Sequence, residues 1–109
     1  MNSDALSTTF AALADPTRRG ILARLAEGEA TVNQLAEPFD LKLPTVSKHL
    51  KVLQRAGLVI QGRKAQWRPC RLEPLPLREV AGWLDRYRQI LDERYGQIDA
   101  YLIELQQKE

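Results

Sequence analysis

The stretch Leu43-Pro44-Thr45-Val46-Ser47-Lys48-His49-Leu50-Lys51-Val52-Leu53-Gln54-Arg55-Ala56-Gly57 predicts an α-helix with two different faces. Pro44 suits the first helical turn, because the N–H group that it lacks would have no partner there. Gly57 suits the left-handed residue that ends many helices. The apolar residues recur at helical spacing along one stripe, which should face a core: Leu43, Val46, Leu50 and Leu53. The opposite, basic face should therefore meet something anionic.

Charge is distributed very unevenly along the chain. Residues 42–71 contain eight basic residues and no acidic one, which leaves eight basic against 14 acidic residues elsewhere, a charge of −6. A formal net charge of +2 thus conceals a segment of +8. Such asymmetry is typical of a surface that binds a polyphosphate. The alternative is an ordinary solvated helix face, but such faces usually mix both signs.

Length and composition limit the classes of protein to which the chain can belong. With 109 residues, of which 44% are hydrophobic, it can form one domain with a modest core. Its single cysteine, Cys70, allows no intramolecular disulfide and fits a reducing compartment. Neither a signal peptide nor an apolar run of about 18 residues is present, so we expect a cytoplasmic protein with no membrane partner.

The residues before the basic helix predict three short helices. Ser3 is the expected N-cap of the first, and Asp15 with Pro16 opens the second. The capping box Thr31-Val32-Asn33-Gln34 opens the third. Two short helices, a tight connection and a basic helix form the helix-turn-helix arrangement, in which the second helix of the motif enters the major groove of DNA. Residues 43–56 are thus the expected recognition helix.

Residues 58–72 predict a β-hairpin. Leu58-Val59-Ile60 is apolar and β-branched, and Gly62-Arg63-Lys64-Ala65 has the composition of a turn. In the return strand, Pro69 would restrict that strand to a sheet edge. A basic hairpin directly after a recognition helix is a wing, which can lie along the DNA backbone or in the minor groove.

Residues 76–107 predict one long helix with an apolar seam. The seam positions average about 3.5 residues per step, the period at which helices pack on one another. They are Leu77, Val80, Leu84, Tyr87, Leu91, Tyr95, Ile98, Leu102 and Leu105. Packing within one chain is the alternative, but three short helices and a wing are too small to cover such a helix. We therefore expect a homodimer, in which a second copy covers this seam.

Several motifs are spread over nearly the whole chain: Leu13-Ala14-Asp15-Pro16-Thr17-Arg18-Arg19 with Ile21-Leu22, residues 43–53, Ala56-Gly57-Leu58-Val59, Gly62-Arg63, residues 67–72 and the helix start at Pro76-Leu77. Together they resemble the ArsR/SmtB family of winged-helix transcriptional regulators. The resemblance implies a mainly α winged helix-turn-helix domain over residues 1–109, with a DNA-binding core at 3–74 and a dimerisation helix at 76–107. It also implies a homodimer that binds double-stranded DNA at an imperfect palindrome and represses transcription.

The resemblance also implies roles for individual residues. The DNA-binding positions are Pro44, Thr45, Ser47, Lys48 and Lys51 in the recognition helix and Arg63 and Lys64 at the wing tip, and Lys42 adds a phosphate contact where relatives often have a serine. The dimer interface would combine Leu6, Phe10 and Leu13 of the first helix with Leu84, Leu91, Ile98, Leu102 and Leu105 of the last.

The motifs of the family's metal sensors are missing. Those sensors carry Cys-x-Cys in the third helix or paired Asp, His and Glu ligands in the last one, whereas here the third helix has no thiol and the last has no histidine. Asp85, Asp92 and Asp99 recur every seven residues, but Arg88 between the first two favours a salt-bridged, solvated face. His49 is expected to pack or to form hydrogen bonds within the recognition helix. We expect no metal and no other cofactor.

Two further classes of function are weighed against a DNA-binding regulator. An enzyme is disfavoured, because the sequence contains no glycine-rich phosphate loop and no catalytic set of nucleophile and base. A winged helix that binds a protein partner stays open, and its affinity would depend less steeply on salt than DNA binding does. Within the regulator class, Arg68 and Arg71 could lower the pKa of Cys70 and make it a thiol sensor, although a lone strand cysteine is more often simply packed.

Overall fold

The computed structural model describes residues 4–62 and 68–107, apart from the side chains of residues 95 and 97. The chain forms two compact units, Met1–Glu79 and Val80–Glu109. The elements follow one another as α1 (Ala5–Leu13), α2 (Pro16–Leu25), α3 (Val32–Ala36), a 3-10 turn (Glu37–Phe39), α4 (Leu43–Arg55), β1 (Val59–Gln61), β2 (Cys70–Leu72), α5 (Leu75–Asp85) and α6 (Arg88–Gln107). This is a winged helix-turn-helix fold with a long C-terminal helix, as predicted.

Side-chain caps fix the starts of the first three helices. The Asp15 carboxylate accepts the backbone N–H of Arg18 at the start of α2, and Thr31 and Gln34 form the reciprocal capping box of α3. Both caps were predicted. At α1 the N-cap is Asp4, whose carboxylate accepts the Ser7 N–H at 2.7 Å. The prediction of Ser3 was therefore one residue too early, and Ser3 itself lies outside the described residues.

The first unit has one hydrophobic core to which α4 contributes its apolar stripe. Val46, Leu50 and Leu53 are buried as predicted, and each such burial contributes about 1.5–3 kcal/mol to folding. Leu43, predicted to join them, is 47% exposed. It is the first residue of the helix, where the side chain lies over a surface groove and not over the core. The core also contains Ile21, Leu22, Leu25, Leu35, Leu58, Val59 and Cys70.

Gly20 and Phe39 form a close contact between α2 and the turn that precedes α4. A Cβ atom built on Gly20 would lie 2.7 Å from Cζ of the Phe39 ring, closer than real contacts allow. Gly20 costs α2 about 1 kcal/mol of helical stability relative to alanine. The missing side chain is what lets the aromatic ring lie against the helix backbone.

The hairpin is attached to the helical core through its second strand. β1 and β2 are antiparallel, with Val59 opposite Leu72 and Gln61 opposite Cys70. Cys70 also exchanges both backbone hydrogen bonds with Ala30, at 2.8 and 3.1 Å. The sequence predicted an edge strand because of Pro69, and this is wrong at Cys70. Pro69 precedes β2 and uses its carbonyl to accept the Gly62 N–H.

The second unit consists of the end of α5 and all of α6. The single helix predicted over residues 76–107 is interrupted at Arg86 and Tyr87, whose N–H groups bond three residues back, to Trp83 and Leu84. The Trp83 and Tyr87 rings pack edge to face beside this break, with centroids 5.2 Å apart. Gly96 does not interrupt α6. Among the described helices, none combines the length and apolarity needed to cross a bilayer.

Candidate nucleic-acid interface

The recognition helix α4 presents most of the predicted DNA-binding residues on its exposed surface. Lys42, Pro44, Thr45, Lys48 and Lys51 are all exposed. Lys42 occupies the N-cap position without a side-chain cap bond, and its carbonyl accepts the N–H groups of the first turn at 3.0 and 3.2 Å. The lysine ammonium group is therefore not used in capping.

Ser47 differs from these residues because it is partly buried and lines a groove. The groove has a volume of about 540 Å³ and lies between α3, α4 and the hairpin. Lys51 lines it as well, so the structure brings a short polar side chain and a cation to the same depression. The other lining residues are Thr31, Val32, Asn33, Leu43, Leu50, Gln54, Gln61 and Arg68.

A long-range network of polar groups supports α4 from behind. The Arg18 guanidinium donates to the carbonyls of Ala12 and Ala11 at 2.7 and 3.1 Å, so it satisfies the end of α1. Its third nitrogen lies 3.4 Å from Nδ1 of His49, in the middle of α4. A guanidinium only donates, so this contact requires the His49 tautomer whose proton is on Nε2. His49 thus forms a hydrogen bond, as predicted, and sequence reasoning missed Arg18.

Asp15 completes this network. Its carboxylate accepts the Arg18 backbone N–H at 3.0 Å and lies 3.8 Å from Nδ1 of His49. The hydrogen bond from the Arg18 backbone, followed by the positive charges of His49 and Arg18, lowers the pKa of Asp15 below its ordinary value. The acidic side chain therefore stays ionised where it caps α2.

The thiol of Cys70 is buried in the core beneath the hairpin. Burial raises the pKa of Cys70, which disfavours the reactive thiolate. The prediction that Arg68 and Arg71 would lower this pKa is wrong, because both lie on the exposed surface while the thiol is inside.

The predicted metal-free face of α6 has the expected ion pairs. Arg88 lies 3.7 Å from Asp85 and 3.9 Å from Asp92, with all three side chains well exposed. Exposed pairs of this kind contribute about 0–1 kcal/mol. Within residues 4–62 and 68–107, no group of three or more His, Cys, Asp or Glu side chains is arranged to hold a metal ion.

The predicted dimer residues form two sets. In α1, Leu6 and Leu13 are partly buried and Phe10 is 38% exposed. The second set lies in α5 and α6 and is 44–51% exposed in the single chain: Leu84, Leu91, Ile98, Leu102 and Leu105. Such a row of large apolar side chains is characteristic of a surface that a partner covers.

Two wing residues predicted from the sequence, Arg63 and Lys64, lie outside the described residues. Sequence reasoning missed three residues at the described base of the wing: Gln54, Gln61 and Arg68. Gln54 donates to the Gln61 side chain, and Gln61 donates to the Arg68 carbonyl. No local sequence pattern signals such bonds, since they depend on how α4 and the hairpin pack.

Comparison with known proteins agrees with this geometry. The family described as a helix-turn-helix domain matches residues 13–61. The transcriptional repressor SdpR of Bacillus subtilis is 34% identical over 72% of this chain and 88% of its own length. A crystal structure of an ArsR family transcriptional regulator is 39% identical, with a TM-score of 0.75, and the match covers 82% of this chain and 98% of that one.

A third relative carries information on assembly. Mb0332 from Mycobacterium bovis, solved as a homodimeric winged helix-turn-helix DNA-binding domain, is 28% identical with a TM-score of 0.64. The match covers 83% of this chain and 84% of that domain. These relatives, like the fold, are those of transcriptional regulators and not of enzymes. The chain belongs to the ArsR/SmtB family of winged helix-turn-helix transcriptional regulators.

Proposed function

We propose that the protein is a homodimeric repressor that binds a pseudo-palindromic operator in double-stranded DNA. The observation that carries the proposal is the division of α4 into a buried apolar stripe and an exposed face rich in cations. No acidic residue occurs in the entire segment from residue 42 to residue 71. A DNA duplex is the partner that this charge distribution fits best, and a regulator of transcription would work in the cytoplasm.

Within α4, side-chain length separates two roles. Thr45 and Ser47 are short and lie near the start of the helix, so they are suited to reach base edges in the major groove. Lys48 and Lys51 are long, exposed cations that are suited to phosphates, and Lys42 adds one more. The wing tip, Arg63 and Lys64, would follow the backbone or enter the minor groove.

Dimerisation would match the protein's symmetry to that of the operator. A two-fold dimer places two copies of α4 against two half-sites, about one helical turn of DNA apart. The exposed apolar residues of α5 and α6 support a dimer, as does the homodimeric state of Mb0332. The partly buried Leu6 and Leu13 of α1 would contribute to the same interface.

Binding to duplexes at several salt concentrations tests the proposal. Genomic fragments selected by the protein supply the operator, and scrambled duplexes of equal length are the control. The expected result is a preference for the operator of about a thousandfold or more and a steep loss of affinity with salt. Affinity that is weak, equal for both duplexes and insensitive to salt would favour a protein partner instead.

A further inference from the structure

Three residues at the base of the hairpin form a continuous series of hydrogen bonds. Nε2 of Gln54, in α4, donates to Oε1 of Gln61, in β1, at 3.1 Å. Nε2 of Gln61 then donates to the backbone carbonyl of Arg68, just before β2, at 3.3 Å. The series runs from the recognition helix across one strand of the hairpin to the other.

The series has only one workable direction. A backbone carbonyl only accepts hydrogen bonds, so Gln61 must turn its amide N–H₂ group toward Arg68. Its oxygen then faces Gln54, which must offer a donor in turn. Each amide orientation follows from the one before it, and an apolar substitution at Gln61 interrupts the series at both ends.

The backbone of Arg68 is the unusual point of this arrangement. Its φ angle is 29°, in a region that residues other than glycine rarely adopt. A conformation of this kind persists only where neighbouring groups hold it. The hydrogen bond from Gln61 to the Arg68 carbonyl is such a restraint, and it fixes the direction in which the side chain leaves the hairpin.

Arg68 is also well placed for DNA. Its side chain is exposed and lines the same groove as Ser47 and Lys51, the residues assigned above to bases and phosphates. The segment around it contains no acidic residue that could neutralise its charge. The same groove thus holds a guanidinium on its hairpin side and an ammonium on its α4 side.

We propose that Arg68 is a further DNA-contacting residue, which binds a backbone phosphate, and that Gln54 and Gln61 are its positioning residues. The proposal rests on the DNA-binding function proposed above. It deepens that function, because it makes the hairpin's contribution depend on two uncharged side chains that touch no DNA themselves.

A double-mutant cycle tests this coupling. Arg68→Met removes the charge, Gln61→Met removes the restraint, and the double variant combines them, with operator affinity measured across a range of salt concentrations. Arg68→Met should lower affinity and make the log–log salt slope shallower by about 0.9 for each phosphate that the protein no longer neutralises, doubled in a symmetric dimer. Gln61→Met should shift affinity and slope in the same direction, by about half as much or more. In the Arg68→Met background it should add almost nothing, and Arg68→Lys should restore most of the slope.

Two additional variants guard the interpretation. Gln89→Met is the matched control, because Gln89 donates a comparable 3.1 Å hydrogen bond to Glu93 on the exposed surface of α6. It should leave affinity and slope unchanged. If Gln61→Met fails to fold, Gln54→Met breaks the series at its α4 end and should show the same non-additivity with Arg68→Met.

The outcomes separate the inference from the function on which it rests. If the wild-type protein binds its operator with a steep salt slope and Gln61→Met does the same, the inference is overturned alone. Effects of Gln61→Met and Arg68→Met that simply add would also overturn it. If the wild-type protein shows no salt-dependent DNA binding, the proposed function fails as well.

Discussion

The Arg18 guanidinium lies 3.4 Å from Nδ1 of His49, although 31 residues separate them in the chain. The same guanidinium donates to the last carbonyls of α1, through Ala11 and Ala12. One side chain therefore joins the end of the first helix to the middle of the recognition helix. Any displacement of α1 on dimerisation would reach α4 directly through this contact.

Replacing Arg18 by Met should lower the free energy of unfolding by about 2 kcal/mol, because two carbonyls at the end of α1 lose a charged donor. Urea denaturation measures the change. Arg24→Met is the control, since Arg24 donates to a single nearby carbonyl, that of Gly28, at 3.2 Å. Equal losses for the two variants would show that the link between α1 and α4 contributes nothing of its own.

Acid should destabilise the protein partly through Asp15. The folded-state pKa of Asp15 is lowered, so its stabilising effect is complete above the unfolded-state value of about 3.9 and is lost as the pH falls through the folded-state value. Asp15→Asn retains a side-chain cap but cannot ionise. Urea denaturation from neutral pH downward should therefore show a weaker acid dependence in Asp15→Asn than in the wild type. Asp99→Asn, on the exposed surface of α6, should retain the wild-type dependence.

Ser47 and Lys51 should fail in different ways although both line one groove. Lys51→Ala should weaken binding to operator and scrambled DNA alike and make the salt slope shallower by about 0.9 per phosphate, doubled in a dimer. Ser47→Ala should instead narrow the gap between the two duplexes by about 1–3 kcal/mol per base contact, with the slope nearly unchanged. A titration series on both duplexes decides the matter. Equal losses for Ser47→Ala on both would place the recognition surface elsewhere.

Dimerisation should depend on one face of α6. Leu102→Asp would bury an unpaired charge in the proposed seam and should weaken the dimer by more than about a hundredfold. Ile103→Asp introduces the same charge one residue later, rotated by about 100° around the helix, and should have a much smaller effect. Sedimentation at micromolar concentration distinguishes the two. A wild-type protein that sediments only as a 12.4 kDa species would contradict the dimer altogether.

Thiol-binding metals should not control DNA binding. Zinc, cadmium or arsenite at stoichiometric amounts should leave the operator complex intact, because the lone Cys70 thiol is buried and its pKa is raised. A thiol reagent should accordingly modify Cys70 slowly in the native protein and rapidly in urea. Release of the operator by arsenite in the wild type, but not in Cys70→Ala, would establish a cysteine-dependent sensor and refute the prediction.

Local chemistry made much of the fold predictable. The Asp15 cap, the capping box at Thr31 and the end of α4 near Gly57 are all signalled within a few residues, and the structure contains all three. Gly57 has the positive φ angle, 75°, that this helix end requires. The interruption at Arg86 and Tyr87 was not predictable in this way, because neither proline nor glycine occurs there and the apolar period continues through it.

The site was predictable only where it lies on one element. The exposed cations of α4 follow from helical periodicity and from the absence of acidic residues nearby. The contacts of Arg18 with His49 and of Gln61 with Arg68 could not be read from the sequence, because they join side chains from different elements. Leu43 shows the converse limit: its spacing fits the buried stripe, but the core does not extend to the first turn of the helix.

The contact between Gly20 and Phe39 makes the thickness of one benzene ring a spacer between α2 and the start of the recognition helix. Gly20→Ala, which stabilises most helices, would here push the ring outward, and Phe39→Leu would leave a gap of similar size. Drift at one position is therefore acceptable only with a matching change at the other. The angle at which α4 leaves the turn is thus inherited as a property of a residue pair.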